Sequence, residues 1–276
     1  MRRGLSFLLA APGAALLVFF FLIPLVAVSV DGFAGGGNAF LRVFRNDLFW
    51  GGLRGTLLLA ATASIFSLVV GFMVALHLSR LSEAARTVLV FFIALPLTFS
   101  GLIVAYGFIL SYGRAGFITQ ILEVFGVAPA TFSQLLYSPQ GLAFASSYYL
   151  IPRVVMLLLP VLVNFDKAQF VAAESLGATR GQSIRDVLIP QILPTAFTAF
   201  CLVAAVAMGA YGTALALVGT QVNILPLQLY SMISETGSDF PAAAALSLLL
   251  MAMCSCVIAV GEVIAARREE HHAQAR

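Results

Sequence analysis

Charged residues are scarce in this chain, since Asp, Glu, Lys and Arg together make up only 10% of its 276 residues. Soluble domains carry about 25% of such residues and need them to cover a water-facing surface. The hydrophobic set instead reaches 61%, and the mean hydropathy is +1.02. This composition excludes an ordinary soluble domain and indicates an integral membrane protein. The net charge of +3 is too small to suggest nucleic-acid binding.

Cysteine is also rare, and its three copies, Cys201, Cys254 and Cys256, all fall inside apolar segments. That placement excludes a disulfide framework. Cys254 and Cys256 lie on different faces of a helix, and no His or acid is close enough in sequence to complete a metal site. We therefore expect neither a metal nor a cofactor.

Catalytic and nucleotide-binding motifs are missing as well. A phosphate-binding loop of the GxxxxGK[ST] type needs a lysine, and the only lysine, Lys167, follows the residues Val-Asn-Phe-Asp instead. The chain contains no GxSxG or HExxH motif, and His77 stands alone. We therefore do not expect the chain to be an enzyme or to hydrolyse ATP itself.

Long apolar runs are what the sequence does contain. Windows of about 20 apolar residues with few charges predict an all-α membrane protein with about six transmembrane helices. The first run follows Arg2 and Arg3 as a signal peptide would, but its length, residues 5 to 30, favours an uncleaved helix. The predicted spans are near residues 8 to 30, 54 to 78, 88 to 112, 141 to 163, 192 to 219 and 242 to 264.

The distribution of Lys and Arg predicts the orientation, because positive segments are retained in the cytoplasm. With the N-terminus inside, 10 such residues fall in inner segments and 4 in outer segments. Both termini and the loop at 164 to 191 are therefore predicted to be cytoplasmic, and the tail from Arg267 to be disordered. The inner residues are Arg2, Arg3, Arg80, Arg86, Lys167, Arg180, Arg185, Arg267, Arg268 and Arg276, and the outer ones are Arg42, Arg45, Arg54 and Arg114.

A short helix is predicted in the first outer segment, where Phe40, Leu41, Phe44 and Leu48 recur at helical spacing. With Trp50 at the water boundary, this pattern is typical of a helix that lies in the membrane interface.

The cytoplasmic loop carries the start and stop signals of two helices. Asp166 with Gln169 forms a possible capping box, and Gly177 is placed to end that helix in the left-handed conformation. Thr179 with Gln182 repeats the cap for a second helix that leads to Pro190 and the next span. The loop is therefore predicted to be a helix, a glycine turn and another helix.

An apolar strip on the first loop helix has two interpretations. Its members are Phe170, Val171, Ala173 and Leu176. Such a strip suits docking into a groove of another protein. It equally suits packing against the chain's own helices or resting on lipid headgroups, and the pattern favours neither.

The loop contains a pattern of small and apolar residues in which Pro190 follows Gly177 by thirteen positions. Its members are Ala172, Ala173, Leu176, Gly177, Ala178, Val187, Leu188 and Pro190. This pattern resembles the EAA loop of permease subunits in binding-protein-dependent ABC importers. Further matches to the family are Gly55, Thr56, Leu57, Gly71, Ala75 and Arg80, and then Leu95, Pro96 and Gly101. The family's Glu aligns with Val171, and Glu174, three positions later, lies close to the same helical face.

The resemblance implies a transmembrane domain of the ABC importer type at residues 53 to 263. An N-terminal helix with an outer interfacial segment would precede it at 1 to 52, and a cytoplasmic tail would follow at 264 to 276. The resemblance also implies a location in the bacterial inner membrane. The implied partners are cytoplasmic ATP-binding subunits, a second permease subunit in the membrane and an external solute-binding protein. The implied ATPase-coupling residues are Ala172, Ala173, Glu174, Leu176, Gly177 and Pro190.

Polar side chains inside the spans are candidates for a translocation path. Arg153 is a charged residue near the middle of the fourth span. It lines the path, pairs with a carboxylate or carbonyls of a neighbouring helix, or reaches the water boundary because the span is shifted. Tyr148, Tyr211 and Ser100 are further candidates by polarity, and Gly209, Gly212 and Gly219 predict close helix approach in the fifth span.

The solute class is left open by the residues. The overall pattern is most similar to permeases grouped with spermidine and putrescine uptake, a group that also resembles those for iron, thiamine and aminoethylphosphonate. An arginine in the path would repel a polyamine and favour an anionic or zwitterionic solute. The alternative function is an ion-gradient-driven secondary transporter or channel, but such proteins usually carry acids within the spans, and here the acids cluster in loops and ends.

Overall fold

The computed structural model describes residues 11–34, 36–126, 128–166, 168–234 and 239–274. Arg2, Arg3, Lys167 and Arg276, which entered the charge count, lie outside these ranges. The described residues are helical nearly throughout and contain no strand, as the composition predicts. In chain order the helices are α1 (Ala11–Phe33), α2 (Asn38–Arg45), α3 (Asp47–Leu78), α4 (Glu83–Ala94), α5 (Gly101–Tyr112), α6 (Phe117–Val124), α7 (Pro129–Leu136), α8 (Pro139–Val163), α9 (Ala168–Ser175), α10 (Arg180–Met208), α11 (Tyr211–Leu217), α12 (Leu225–Ser234) and α13 (Phe240–Gln274).

Within the described ranges, six stretches are long and apolar enough to cross a membrane, which confirms the predicted number. They are Ala11–Phe33, Asp47–Leu78, Gly101–Val124, Pro139–Val163, Arg180–Met208 and Phe240–Ala266. The last helix continues to Gln274, so the prediction of a disordered tail from Arg267 is wrong for the backbone up to that residue.

The third predicted span, 88 to 112, is broken in the structure. Helix α4 ends at Ala94, a 3₁₀ turn covers Leu95–Thr98, and α5 begins at Gly101. Pro96 cannot donate a backbone hydrogen bond, which favours the break. Ser100 then caps the new helix, because its hydroxyl accepts from the backbone N–H of Ile103 at 3.4 Å.

The fifth predicted span, 192 to 219, is shifted and also broken. Helix α10 begins at Arg180, twelve residues earlier than predicted, and ends at Met208 before the short α11. A π-helical turn at Ile184–Leu188 precedes Pro190, whose ring would otherwise clash with a carbonyl one turn earlier. The second loop helix is therefore continuous with the membrane span.

Helix α8 forms the centre of the molecule. In its most apolar stretch 56% of the residues are buried, whereas the corresponding share is 0% in α1. It packs against α3 and α10, and small residues permit the closest approach, because a Cβ on Gly71 of α3 would lie 2.7 Å from Val154 of α8. Helix α1 packs mainly on α13 at the periphery.

The short helix predicted before the second span is present as α2. Its Ala39 and Val43 are fully buried, whereas Leu41 and Phe44 are exposed, and the predicted Leu48 belongs to the start of α3 and is exposed as well. Arg42 makes a bidentate ion pair with Asp239, at 2.9 and 3.0 Å, and so ties α2 to the start of α13. Partial burial alone would raise the pKa of Asp239, but hydrogen bonds from Arg42 and the Ala242 backbone together with the Arg42 charge lower it.

Candidate functional site

The first loop helix, α9, starts with a cap that differs from the predicted capping box. The Asp166 carboxylate accepts a hydrogen bond from the backbone N–H of Ala168 at 2.9 Å. The Gln169 side chain does not return to Asp166. Its Oε1 instead accepts a hydrogen bond of 2.6 Å from Nε2 of Gln191, which lies 22 residues later in α10. The loop helix is thereby joined directly to the base of the fifth span.

Gly177 ends α9 as the sequence predicts. Its φ is +91°, in the left-handed region that favours glycine. The backbone N–H of Ala178 donates to the Ala173 carbonyl and that of Gly177 to the Glu174 carbonyl, both at 3.0 Å. These two bonds form a Schellman motif, which fixes the angle between the two loop helices.

The second loop helix begins with the predicted capping box. The Thr179 hydroxyl accepts from the Gln182 backbone N–H at 3.4 Å, and Gln182 Oε1 accepts from the Thr179 N–H at 2.8 Å. This helix is the first part of α10, so from Arg180 onward no non-helical segment separates it from the membrane span.

The apolar strip of α9 is divided between inner and outer contacts. Phe170 is half-buried, with its ring centroid 5.0 Å from that of Phe165 and its side chain against the main core. Ala173 is half-buried as well. Val171 and Leu176, by contrast, are 64% and 90% exposed. Packing against the chain's own helices therefore accounts for one half of the strip and leaves the other half free.

Arg153 lies on α8 and contacts its own helix. One guanidinium nitrogen donates to the Tyr149 carbonyl one turn earlier, at 2.6 Å, and the group lies 5.7 Å from the centre of the Tyr149 ring. No carboxylate of the described residues lies within 4 Å of it. The pairing with a neighbouring helix that the sequence left open is therefore replaced by a local carbonyl.

Tyr149 contacts both Arg153 and Thr213, but the sequence led to the prediction of its neighbour Tyr148 instead. Tyr149 is buried, and its hydroxyl accepts from the Thr213 hydroxyl at 3.4 Å, which links α8 to α11. Thr213 also faces α5, because a Cβ on Gly101 would lie 2.4 Å from its hydroxyl oxygen. The sequence does contain one sign of this contact. Thr213 is a polar residue within a run of small residues, and a polar residue inside a membrane helix needs a hydrogen-bond partner.

The other predicted path residues fall at different places. Tyr148 lies about 140° around α8 from Arg153, given 3.6 residues per turn. It lines a separate pocket of about 390 Å³ with Phe108. Tyr211, two residues before Thr213, packs against Tyr230 with the ring centroids 5.4 Å apart and the ring planes tilted by 43°. Ser100, exposed at the start of α5, is next to Gly101 and so adjoins the contact with Thr213.

Of the three glycines predicted to allow close approach, one does so. A Cβ on Gly212 would lie 3.3 Å from the backbone nitrogen of Leu102, so α11 and α5 cross closely there. Gly209 meets no atom nearer than 3.7 Å and instead ends α10, and Gly219 adopts a φ of +55° in a turn. The helices that follow the two breaks, α5 and α11, therefore pack against each other. Tyr149, one turn before Arg153 on α8, contacts α11 through Thr213.

Residues 67–270 match the family model described as a binding-protein-dependent transport system inner membrane component. The chain belongs to this family. It is a multi-pass inner membrane permease subunit of an ABC importer, and the family assignment decides against the ion-gradient alternative.

The relatives of this permease are named for different solutes. It is 30% identical over 200 residues to the sulfate transport system permease protein CysT of Salmonella typhimurium, covering 71% of this chain and 69% of the relative. It is 29% identical to sulfate permease 2 of the Chlamydomonas reinhardtii chloroplast, covering 89% of this chain but only 66% of that protein. The spermidine/putrescine permease PotB of Salmonella typhimurium is 27% identical, covering 85% of this chain and 84% of the relative.

A solved structure shares the permease fold. A chain of a bacterial alginate ABC transporter, in complex with an alginate pentasaccharide-bound periplasmic protein, superposes with a TM-score of 0.74. The match covers 96% of this chain and 95% of that chain at 18% identity, so it supports the fold and not the solute.

Proposed function

We propose that this permease couples to a cytoplasmic ATPase through the loop from Asp166 to Pro190, with both termini on the same side. The observation that carries the proposal is the exposed outer half of α9, where Val171 and Leu176 stand free beside a rigid glycine turn. An exposed apolar pair on a fixed helix suits insertion into a groove of another protein. Ala172, Glu174 and Gly177 are exposed beside this pair and complete the docking surface, with the half-buried Ala173 behind them, and Pro190 lies where the loop enters the span.

The loop is also suited to transmit motion. The Gln169 to Gln191 hydrogen bond joins α9 to α10, and the capping box at Thr179 joins the turn to the same helix. ATP hydrolysis on a separate subunit would therefore move α10, and with it the break at Gly209. Alternating access at the crossing of α5 and α11 is the expected result.

The proposed assembly contains a second permease, the same chain or a similar one, and an external solute-binding protein. The family to which the chain belongs supports this assembly, because it consists of permeases that work with a partner permease and a solute-binding protein. We place the transporter domain itself at residues 53 to 263.

The proposed solute is a small anion rather than a polyamine. Arg153 supports this choice, because its guanidinium is half-buried and no carboxylate of the described residues neutralises it. Desolvated like charges repel strongly, so a cationic solute would be disfavoured near it. The sulfate permeases among the relatives agree with an oxyanion, whereas the spermidine/putrescine permease PotB and the ferric permease FbpB favour a cationic solute.

Gly177→Val tests the coupling role. A β-branched residue is strained at a φ of +91° by about 1–3 kcal/mol, so the turn should rearrange. We expect at least a tenfold loss of co-purified ATPase and of solute uptake, with normal membrane insertion. Gly181→Val is the matched control, because Gly181 is also exposed in the loop but has no positive φ. Unchanged uptake by Gly177→Val would contradict the coupling role.

A further inference from the structure

A cleft opens at the proposed cytoplasmic side, where the ends of α3 and α8 meet α9 and α10. Its volume is about 720 Å³. The apolar part of its wall includes Phe72 and Ile189, and the charged groups at its surface are Arg80, Glu174 and Arg180. All three charged residues are exposed, so they are available to a ligand.

The two arginines of the cleft are unpaired. Within the described part of the chain, no carboxylate lies within 4 Å of either guanidinium, whereas Arg185 of the same loop lies 3.9 Å from Asp186. Two guanidinium groups against the single carboxylate of Glu174 leave the cleft with one net positive charge. The local charge therefore selects an anion.

An apolar groove continues the cleft along the membrane-spanning helices. It lies between α3 and α10, has a volume of about 280 Å³ and is lined by apolar side chains alone. Phe72 and Ile189 line both the groove and the cleft, so the two spaces adjoin. The ligand that fits both is amphiphilic, with an anionic group at one end and an apolar chain at the other.

We propose that the cleft and groove bind one anionic phospholipid of the cytoplasmic leaflet, phosphatidylglycerol. Its phosphate lies between Arg80 and Arg180, and an acyl chain lies along the groove between α3 and α10. Basic pockets between transmembrane helices on the cytoplasmic side are suited to anionic headgroups. The proposal rests on the orientation given under Proposed function. Because the cleft also includes Phe170 and Glu174 of α9, bound lipid would hold the loop against the membrane helices.

Native mass spectrometry of the purified full chain measures this binding directly. With added phosphatidylglycerol, we expect one tightly bound lipid in the unaltered protein and at least a fivefold weaker affinity in the double variant Arg80→Gln, Arg180→Gln. Arg185→Gln is the matched control, because Arg185 is an exposed arginine of the same loop outside the cleft. Equal lipid binding by the double variant would overturn the proposal.

The groove is tested separately from the arginines. Leu193→Trp should fill the groove and weaken lipid binding at least threefold, whereas Met73→Trp, at an exposed position outside it, should not. Soluble glycerol phosphate should not compete at millimolar concentration, since it lacks an acyl chain. Competition by glycerol phosphate would identify a free-anion site instead.

Failure of the lipid site is distinguishable from failure of ATPase docking. Loss of co-purified ATPase in the double arginine variant, with lipid affinity unchanged, would make the cleft a subunit contact and overturn the proposal. Loss of the bound lipid with ATPase still co-purifying supports it and leaves the docking surface at Val171 and Leu176 intact.

Discussion

At the scale of single residues, Arg153 is the most informative position. A charged side chain at the centre of a transmembrane helix costs about 2.5–3.5 kcal/mol on insertion scales. The Tyr149 carbonyl and ring offset part of that cost without neutralising the charge. This unneutralised charge is the basis of the proposed contact with an anionic solute.

Arg153→Gln should therefore reduce the uptake of labelled sulfate at least tenfold in proteoliposomes that hold the complete transporter. The physical reason is the loss of the half-buried positive charge that the proposed anion would meet. Arg153→Lys keeps the charge but not the planar donor group, so we expect an intermediate loss. Arg114→Gln, at an exposed arginine in a segment proposed to be outside, is the matched control. Spermidine uptake by the unaltered transporter, with no sulfate uptake, would contradict the proposed solute class.

At the scale of helices, the decisive feature is the crossing of α5 and α11, which begin just after the two helix interruptions. Gly101 and Gly212 allow this approach, since a Cβ on either would lie within 3.3 Å of the opposite helix. Overpacking at such a contact costs about 1–3 kcal/mol and moves the backbones apart. Closely packed small residues are the usual means by which helices associate in a membrane.

Gly101→Ala is expected to lower the thermal stability of the purified permease and to slow transport, because the added methyl group would overlap Thr213. Gly107→Ala in the same helix is the control. No atom lies within 4 Å of the position of its Cβ, so a neutral effect or a small stabilisation is expected. Equal melting temperatures for the two variants, measured by differential scanning fluorimetry, would count against the crossing.

At the scale of the whole molecule, the sequence predicts the local features better than the rotations of helices. The glycine turn and the Thr179 cap depend on residues within about six positions of each other, and both were found. The breaks after Ala94 and Met208 were missed, because a hydropathy window averages over a single Pro or Gly. Tyr149 was missed because lipid-facing and buried faces are both apolar in a membrane helix, so periodicity does not orient it.

The orientation of the whole molecule follows from charges spread over the entire chain, and it can be measured on the intact protein. Leu176 is 90% exposed in the loop proposed to be cytoplasmic, and Arg114 is exposed in a segment proposed to be outside. In a variant without the three native cysteines, Arg114→Cys should react with a membrane-impermeant maleimide in intact spheroplasts. Leu176→Cys should react only after permeabilisation. The reverse pattern would place α9 outside, where no cytoplasmic ATPase could reach it, and would remove the basis for both the coupling role and the cytoplasmic lipid site.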